Sequence, residues 1–388
     1  MKRRKFIQYG AIGSASSLAT FNIKNHPNQE LISSEKMNNK QHYKWVILYW
    51  MPYDNDLYPF GFPILQMLAR GVQSDNILVV VQADFLGANN LSRSIITKGK
   101  VEVQQLKTAN SASEEVFAEY LNWANSQFVA NKWAIAFLGH GGQLDKISPD
   151  VNTGTLQLET QWMNIKKLSD VITNFNREIN SRVELFFFQN CNKGTIEAHY
   201  TFRDAANYTL SSQKLLGAPN YYYESTLQFL GRNLELNGGQ LAEKIMKFER
   251  SDMYNSYTVT NNQYVRELPG KLNPLIDKIT SSKLKPINWG ELKPYRYMDE
   301  DFIDVVLLIQ AIAKEATDIQ NNCDDFVDFL KNLMIYKYHK NPAKANSGLS
   351  GLGLLLPSNK EHLQKYRYLP VFSELKLVEL FNTILFKN

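Results

Sequence analysis

The sequence predicts an α/β layer sandwich built around a mostly parallel β-sheet, and three observations carry that prediction. Short apolar runs rich in β-branched residues are each bounded by polar turns. Amphipathic helical stretches alternate with them, the order expected when helices cover a parallel sheet. Two of the runs then stop at reactive side chains, Gly139-His140-Gly141-Gly142 and Gln189-Asn190-Cys191. Carboxyl ends of parallel strands share one edge of the sheet, and ligand-binding and catalytic groups collect there.

Each element follows from its residues. KWVILYWM (Lys44–Met51) and NILVVVQAD (Asn76–Asp84) read as buried strands. Ser94–Ile96 and Val101–Leu106, joined through Lys98-Gly99-Lys100, read as a hairpin. Val116, Phe117, Tyr120, Leu121 and Ala124 recur at helical spacing, and Ser113 with its following glutamates marks the start. KWAIAFLGHGG is a third strand that breaks at Gly139, Trp162–Phe175 is an amphipathic helix, and Val183–Phe188 is a fourth strand. Between them Gln143–Gln161 reads as a long polar loop. Further on, helical periodicity runs through Gly238–Arg250, Gln263–Ile279, Asp299–Ala316 and Asp324–Tyr336. Ser347–Ser358 reads as one more strand and Phe372–Phe386 as a closing helix. The expected division is a core at 44–250 and a mainly helical C-terminal region at 251–388.

Composition narrows the function. Hydrophobic residues make up 44% of the 388 and aromatic ones 12%, enough for a substantial core. The formal charge is +5, but Lys2, Arg3, Arg4, Lys5 and Lys24 supply all of it, and the rest of the chain is neutral. A neutral body without a basic run carries no footprint for nucleic acid. Cys191 and Cys323 are the only cysteines, which excludes a disulfide framework and a cysteine-based zinc site.

MKRRKFIQYGAIGSASSLATF has a basic cluster followed by a short, weakly apolar stretch. It is too short to anchor in a bilayer, where a spanning helix needs about 20 apolar residues. Arg3-Arg4 before Lys5-Phe6-Ile7 resembles a twin-arginine export signal, so 1–26 is expected to be a cleaved leader and 27–43 a polar linker. A periplasmic or secreted location follows from that reading, without stable membrane insertion once the leader is removed.

Cys191 and His140 are the candidate chemistry. Neighbouring parallel strands lie about 4.8 Å apart, so side chains at two adjacent strand ends can act on one substrate atom. A thiol needs a base or a positive field to become thiolate near neutral pH, and a helix expected to begin near Gly194 would supply such a field. Gly141 and Gly142 leave the backbone bare beside the histidine, where an amide can meet a developing oxyanion together with the Cys191 amide.

The spacing, strand–Gly-His-Gly and then strand–x-x-Cys about fifty residues later, resembles the cysteine peptidases of clan CD, and within them the clostripain family. KWVILYWMPYDNDL is similar to that family's opening strand and turn, FLGHGG to its histidine segment, and NCNKGTIEAHY to its cysteine segment, with Gly194, Ile196, Glu197 and Tyr200 matching. GLSGLGLLLPS resembles its late strand. The resemblance covers roughly 44–388. It implies a caspase-like three-layer fold and peptide-bond hydrolysis, with Cys191 as nucleophile, His140 as acid/base group, and the backbone amides of Gly141 and Cys191 as oxyanion hole. A peptide or protein is the implied substrate. The family has an acidic residue two positions before the cysteine to receive a basic P1 side chain; here that position is Gln189. A second acid is missing where Ser212-Gln213 stands, so Gln189, Ser211, Ser212 and Gln213 form the expected P1 pocket without a charge. Either another acid such as Glu224 or Asp204 fills the pocket, or specificity has moved to a neutral side chain over Tyr221–Tyr223. No cofactor is required, although some relatives use calcium and Asp54 and Asp56 end the first strand; that pair reads first as turn chemistry. Self-cleavage in the loop containing Lys146 is also implied by some relatives, and loses force if the pocket no longer takes lysine. A non-hydrolytic peptide-binding homologue and a transpeptidase using the same thioester are the alternatives.

Overall fold

The computed structural model describes residues 40–151, 160–341, 343 and 348–386. The expected leader at 1–26, most of the linker and the middle of the loop after His140 lie outside the described residues. The linker's last residues are strand: β1 runs Gln41–Tyr53.

β1 stands in a nine-stranded sheet with β2 (Ile77–Phe85), β3 (Ser92–Thr97), β4 (Lys100–Gln105), β5 (Phe128–Leu138), β8 (Val183–Gln189), β9 (Ala206–Ser211), β10 (Ser256–Asn261) and β13 (Ile335–Lys340). β6 (Lys146–Asp150) and β7 (Gln161–Asn164) form a separate ribbon, while β11 (Tyr295–Tyr297), β12 (Glu300–Asp304) and β14 (Gly353–Leu356) form a small third sheet. The large sheet has the order β13-β10-β9-β8-β5-β1-β2-β3-β4. Its middle, β9-β8-β5-β1-β2, is parallel, and both edges are antiparallel.

The strands read as unbroken apolar runs because both faces are covered. On one face Val46, Leu48 and Trp50 of β1 join a core with Phe117, Tyr120 and Leu121 of α2 (Glu114–Gln127) and Leu168 and Ile172 of α3 (Ile165–Glu178), these helices lying after α1 (Tyr58–Gly71) in the chain. On the other face Trp45, Ile47, Tyr49 and Met51 join a core with Ile64 and Leu68 of α1. Leu227 of the helix Tyr222–Arg232 and Leu241 and Ile245 of the helix Gly238–Phe248 complete that core. Chain order places β2 on one side of β1, and β5, β8 and β9 on the other. The direction of winding therefore reverses at β1 and β5, the crevice where open α/β sheets hold their ligands.

Several sequence expectations shift for identifiable reasons. Trp162–Phe175 starts as strand β7 before turning helical at Ile165, where the Asn164 side chain caps the Lys166 and Lys167 amides. Asp299–Ala316 likewise divides into β12 and the helix Val305–Glu315, with Asp304 as cap. Pro269 begins a new helix at Leu268–Ser281, splitting Gln263–Ile279. Asp324–Tyr336 ends in one π-helical turn and passes into β13. The expected late strand is confined to Gly353–Leu356, and the closing helix is two, Pro370–Glu374 and Leu377–Ile384. The expected boundary at 250 falls inside one sheet, because β10 and β13 extend the sheet that β8 and β9 begin. No described helix is long and apolar enough to cross a membrane.

Candidate active site

Leu138 of β5 pairs with Gln189 of β8, so His140 and Cys191 each stand two residues beyond that paired position on adjacent parallel strands. Gly139 turns the chain out of β5 at φ +106°, a conformation that favours glycine. The two strand ends are then tied together. The Asn190 side-chain amide donates to the Gly139 carbonyl at 2.9 Å and to the His140 carbonyl at 3.3 Å. Gly141 lies so near the cysteine backbone that a Cβ there would sit 2.1 Å from the Cys191 carbonyl oxygen. Lys193, fully buried, donates from Nζ to the carbonyls of Gln143 at 2.7 Å and Leu144 at 3.2 Å. Burial pulls that ammonium down to about 8, partly offset by Asp145 and Glu300.

His140 is half-buried, and its Nε2 meets Asp56 Oδ1 at 2.7 Å. With that carboxylate accepting from Nε2, Nδ1 is the nitrogen left to exchange a proton. Asp56 therefore orients the imidazole, a role that turn chemistry in the sequence did not reveal. The Cys191 thiol receives the Leu216 amide at 3.3 Å and donates to the Leu216 carbonyl at 3.5 Å. Tyr297 approaches from β11: its hydroxyl donates to the Gly141 carbonyl at 2.6 Å and lies within hydrogen-bonding reach of the thiol. Burial raises the thiol pKa; the Leu216 amide, the Tyr297 hydroxyl and the Lys193 charge each oppose that rise. The helix expected to favour thiolate starts only at Ile196, five residues beyond Cys191 and six residues long, so the field comes from these groups instead. Tyr297 and Lys193 carry no local signal in the sequence.

The expected P1-pocket residues are all buried, and most are already engaged. Gln189 Nε2 donates to Asn220 Oδ1 at 2.5 Å and to the Tyr223 hydroxyl at 2.6 Å, while its Oε1 accepts from the Tyr222 hydroxyl at 2.6 Å. Behind it, Asn220 donates to Glu249 at 2.8 Å. Burial raises the Glu249 pKa, and the Tyr221 and Arg250 amides oppose that rise. Ser211 Oγ bonds His199 Nε2 at 2.6 Å. Gln213 donates to Asp304 at 2.9 Å and accepts from the Gly351 amide at 3.1 Å. Ser212 Oγ is buried and finds no partner among the described residues. Glu224 pairs with Arg70 at 2.7 Å and Asp204 with Arg266 at 2.8 Å, so neither stands spare for a substrate charge.

A second cluster of functional groups lies at the same edge. Asp54, Asp84 and Asp150 are buried, and one carboxylate oxygen from each lies within 4.8 Å of the others. Asp84 is pushed up to about 8, chiefly by burial and then by Asp150 and Asp54. Asp56, weighed with Asp54 in the sequence, is not in this group and faces His140. Cys323 is buried and unbridged, and His199 is a buried packing residue.

A profile described as the clostripain family, of peptidase class C11, matches residues 49–377. The chain belongs to the clostripain family. It is accordingly a cysteine-type peptidase with the caspase-like architecture that the resemblance implied. No curated protein matches the sequence. Among solved structures, a secreted C11 cysteine protease from Bacteroides thetaiotaomicron, in complex with an irreversible peptide inhibitor, is 18% identical with a TM-score of 0.66, covering 86% of this chain and 99% of its own. An inactive zymogen C11 protease from Parabacteroides distasonis is 16% identical with a TM-score of 0.64, covering 86% and 98%. The Bacteroides thetaiotaomicron protease called iotapain is 15% identical with a TM-score of 0.63, covering 86% and 99%. At such identities these likenesses speak for a shared fold.

Proposed function

We propose that this clostripain-family chain is an exported cysteine endopeptidase that works through a Cys191–His140 dyad and accepts a neutral P1 side chain. The observation that carries the reading is the register of β5 and β8, which brings both side chains to equivalent positions beyond one paired residue at the winding reversal. In this reaction the Cys191 sulfur attacks the scissile carbonyl carbon, forming the C–S bond as the carbonyl electrons move to oxygen. The Gly141 and Cys191 amides would receive that oxyanion. His140, oriented by Asp56, gives a proton from Nδ1 to the leaving amine as the C–N bond breaks. Water then attacks the thioester carbonyl, His140 takes its proton, and the C–S bond breaks, releasing the acid and returning Cys191 as the thiolate that began the cycle.

The neutral P1 preference rests on Gln189. Its amide is held by Tyr222, Tyr223 and Asn220, and Glu224 and Asp204 are paired with Arg70 and Arg266. A guanidinium entering this pocket would be stripped of water without a bidentate carboxylate to receive it. Export rests on the 1–26 segment, and two of the similar structures are described as secreted proteases.

Cleavage-site profiling of a diverse peptide library tests the reading, using the chain from about residue 27 beside Cys191→Ala. Cysteine-dependent cleavage after neutral residues is expected. Cleavage after Arg or Lys would overturn the pocket assignment, and cleavage surviving in Cys191→Ala would overturn the mechanism. Absence of cleavage by either chain would favour a peptide-binding homologue.

A further inference from the structure

Building on the Cys191–His140 reading above, we propose that Glu300 is a positioning residue for peptide-bond cleavage, anchoring the backbone just after His140 and supplying the counter-charge to Lys193. Glu300 lies far from both strand ends in the chain and reaches them through the β11–β12 hairpin. Met298 and Asp299 form its two-residue turn, both with positive φ, +48° and +65°. That turn makes Tyr297 and Glu300 directly opposed partners, so their side chains leave the hairpin on one face. The Tyr297 hydroxyl donates to the Gly141 carbonyl at 2.6 Å, and Glu300 Oε2 accepts from the Leu144 amide at 2.7 Å. One hairpin thus holds both ends of the four residues that follow His140.

Leu144 is held by both of its backbone polar groups. Its amide meets Glu300, and its carbonyl accepts from Lys193 Nζ at 3.2 Å. The same ammonium reaches the Gln143 carbonyl at 2.7 Å and the Gly142 carbonyl at 3.4 Å. Lys193 stands two residues beyond Cys191, so it ties the cysteine segment to the histidine segment, and Glu300 fixes that segment from the hairpin. Both charges are out of water: Glu300 is 1% exposed and Lys193 fully buried. Burial favours the neutral amine, and the Glu300 charge opposes that, second to Asp145. A neutral amine would lose the charge that strengthens its bonds to the three carbonyls.

Other titratable groups face the carboxylate from three further elements. From the helix Lys360–Gln364 and the turn after it, His362 Nε2 lies 3.3 Å and Lys365 Nζ 4.0 Å from Oε1, which also accepts from the Tyr366 hydroxyl. Asp145, in the segment after His140, accepts from the Tyr368 hydroxyl at 2.6 Å. Glu197, on the helix Ile196–Thr201, is raised chiefly by burial and in small part by the Glu300 charge. A Glu300 that served only to fasten the Lys360–Gln364 helix would affect stability and leave the pH dependence of catalysis where it is. One that sustains the Lys193 charge would move it.

Glu300→Gln separates charge from shape, because its amide oxygen can still accept from Leu144. On a peptide that the protein cleaves, kcat should fall about tenfold with KM within about twofold, and the alkaline fall in kcat should move down from near 8 by about one unit. Glu300→Asp keeps the charge and should leave that alkaline limb in place. With Lys193→Met the charge has no ammonium to sustain, so adding Glu300→Gln should lower kcat by less than about threefold further. An unmoved limb in Glu300→Gln, or a full tenfold further loss on the Lys193→Met background, overturns the proposal. Amide hydrogen exchange across residues 139–146 reads the anchoring without cleavage: above about pH 7 it should be faster in Glu300→Gln than in the unsubstituted protein, with the rest of the sheet unchanged. Equal exchange overturns the proposal whether or not peptides are cut. Faster exchange in a protein that cuts no peptide upholds the anchoring and counts against the dyad reading alone. Should Glu300→Gln fail to fold, Glu300→Asp decides: drawing the carboxylate back by one methylene should speed exchange of the same amides, and unaltered exchange overturns the proposal.

Discussion

Replacing Tyr297 with Phe isolates one hydroxyl beside the nucleophile. The ring stays, so packing is preserved, while the Gly141 carbonyl loses its 2.6 Å donor and the thiol loses a polar neighbour. That hydroxyl has one proton, which serves Gly141 when the thiol is neutral and can turn to sulfur when thiolate forms. Its worth to the thiolate is therefore the difference between two bonds, about 2.4 kcal/mol to a charged acceptor less about 1 kcal/mol to a neutral one, or about 1.4 kcal/mol. That corresponds to about one unit in the thiol pKa. A rise of that size cuts the thiolate fraction about tenfold below the pKa, but a more basic thiolate is about 2.5–3 times more nucleophilic. The net loss in alkylation rate at neutral pH is then about three- to fourfold. The assay is the pH dependence of iodoacetamide inactivation: the inflection should move up by about one unit in Tyr297→Phe, with the neutral-pH rate reduced as stated. An unmoved inflection would refute the assignment of Tyr297 to the thiol, whatever happens to peptidase activity.

Three further outcomes follow from the same geometry. Gly141→Ala would drive a Cβ into the Cys191 carbonyl, forcing the two strand-end loops apart, and kcat/KM in a peptide assay should fall by about 100-fold or more. Lys193→Met removes three carbonyl contacts together with the cost of burying the ammonium, which its fall from 10.5 to about 8 puts at ~3 kcal/mol. These offset, so chemical denaturation should register a change below about 2 kcal/mol while kcat/KM falls about tenfold, the signature of a positioning residue. His199 is held neutral by burial, with its pKa lowered from 6.5 to about 3. The unfolded chain binds the extra proton first, so this residue's contribution is present above pH 6.5 and lost as pH falls towards 3, by at most ~1.4 kcal/mol per pH unit. Glu197, raised from 4.5 to about 7, acts in the opposite sense across 4.5–7, so total stability hides both. Comparing denaturation midpoints of His199→Gln with the unsubstituted protein at pH 6.5 and 4.5 separates them, and the variant should show the weaker loss on acidification.

Much of the core was legible because its signals are local. Lys44–Met51, Asn76–Asp84 and Val183–Phe188 announce themselves by unbroken apolar runs, which strands buried on both faces must have. Beyond residue 250 the short strands were masked. Five residues of β12 run straight into a helix whose apolar spacing continues theirs, and the helix Gln320–Phe329 passes into β13 through a single π turn. Periodicity averages across such junctions, and pairing with β14 or β10 is what makes those residues strand.

By itself the sequence determined the strand-end cysteine and histidine, the glycines beside them, the family, and the missing charge at Gln189. These are written in two short segments, 139–142 and 189–191. Tertiary structure alone decided what surrounds them. Asp56 reaches His140 across 84 positions of sequence, and Tyr297 reaches Gly141 across 156. Glu224 and Asp204, plausible pocket acids by type, are held on arginines elsewhere, while Asp84 and Asp150, unremarkable in their own strands, meet Asp54. Hydrophobic patterning specifies which face of an element is buried. Which polar groups then face one another depends on register, crossover and the angle of packing, and those are properties of the assembled sheet.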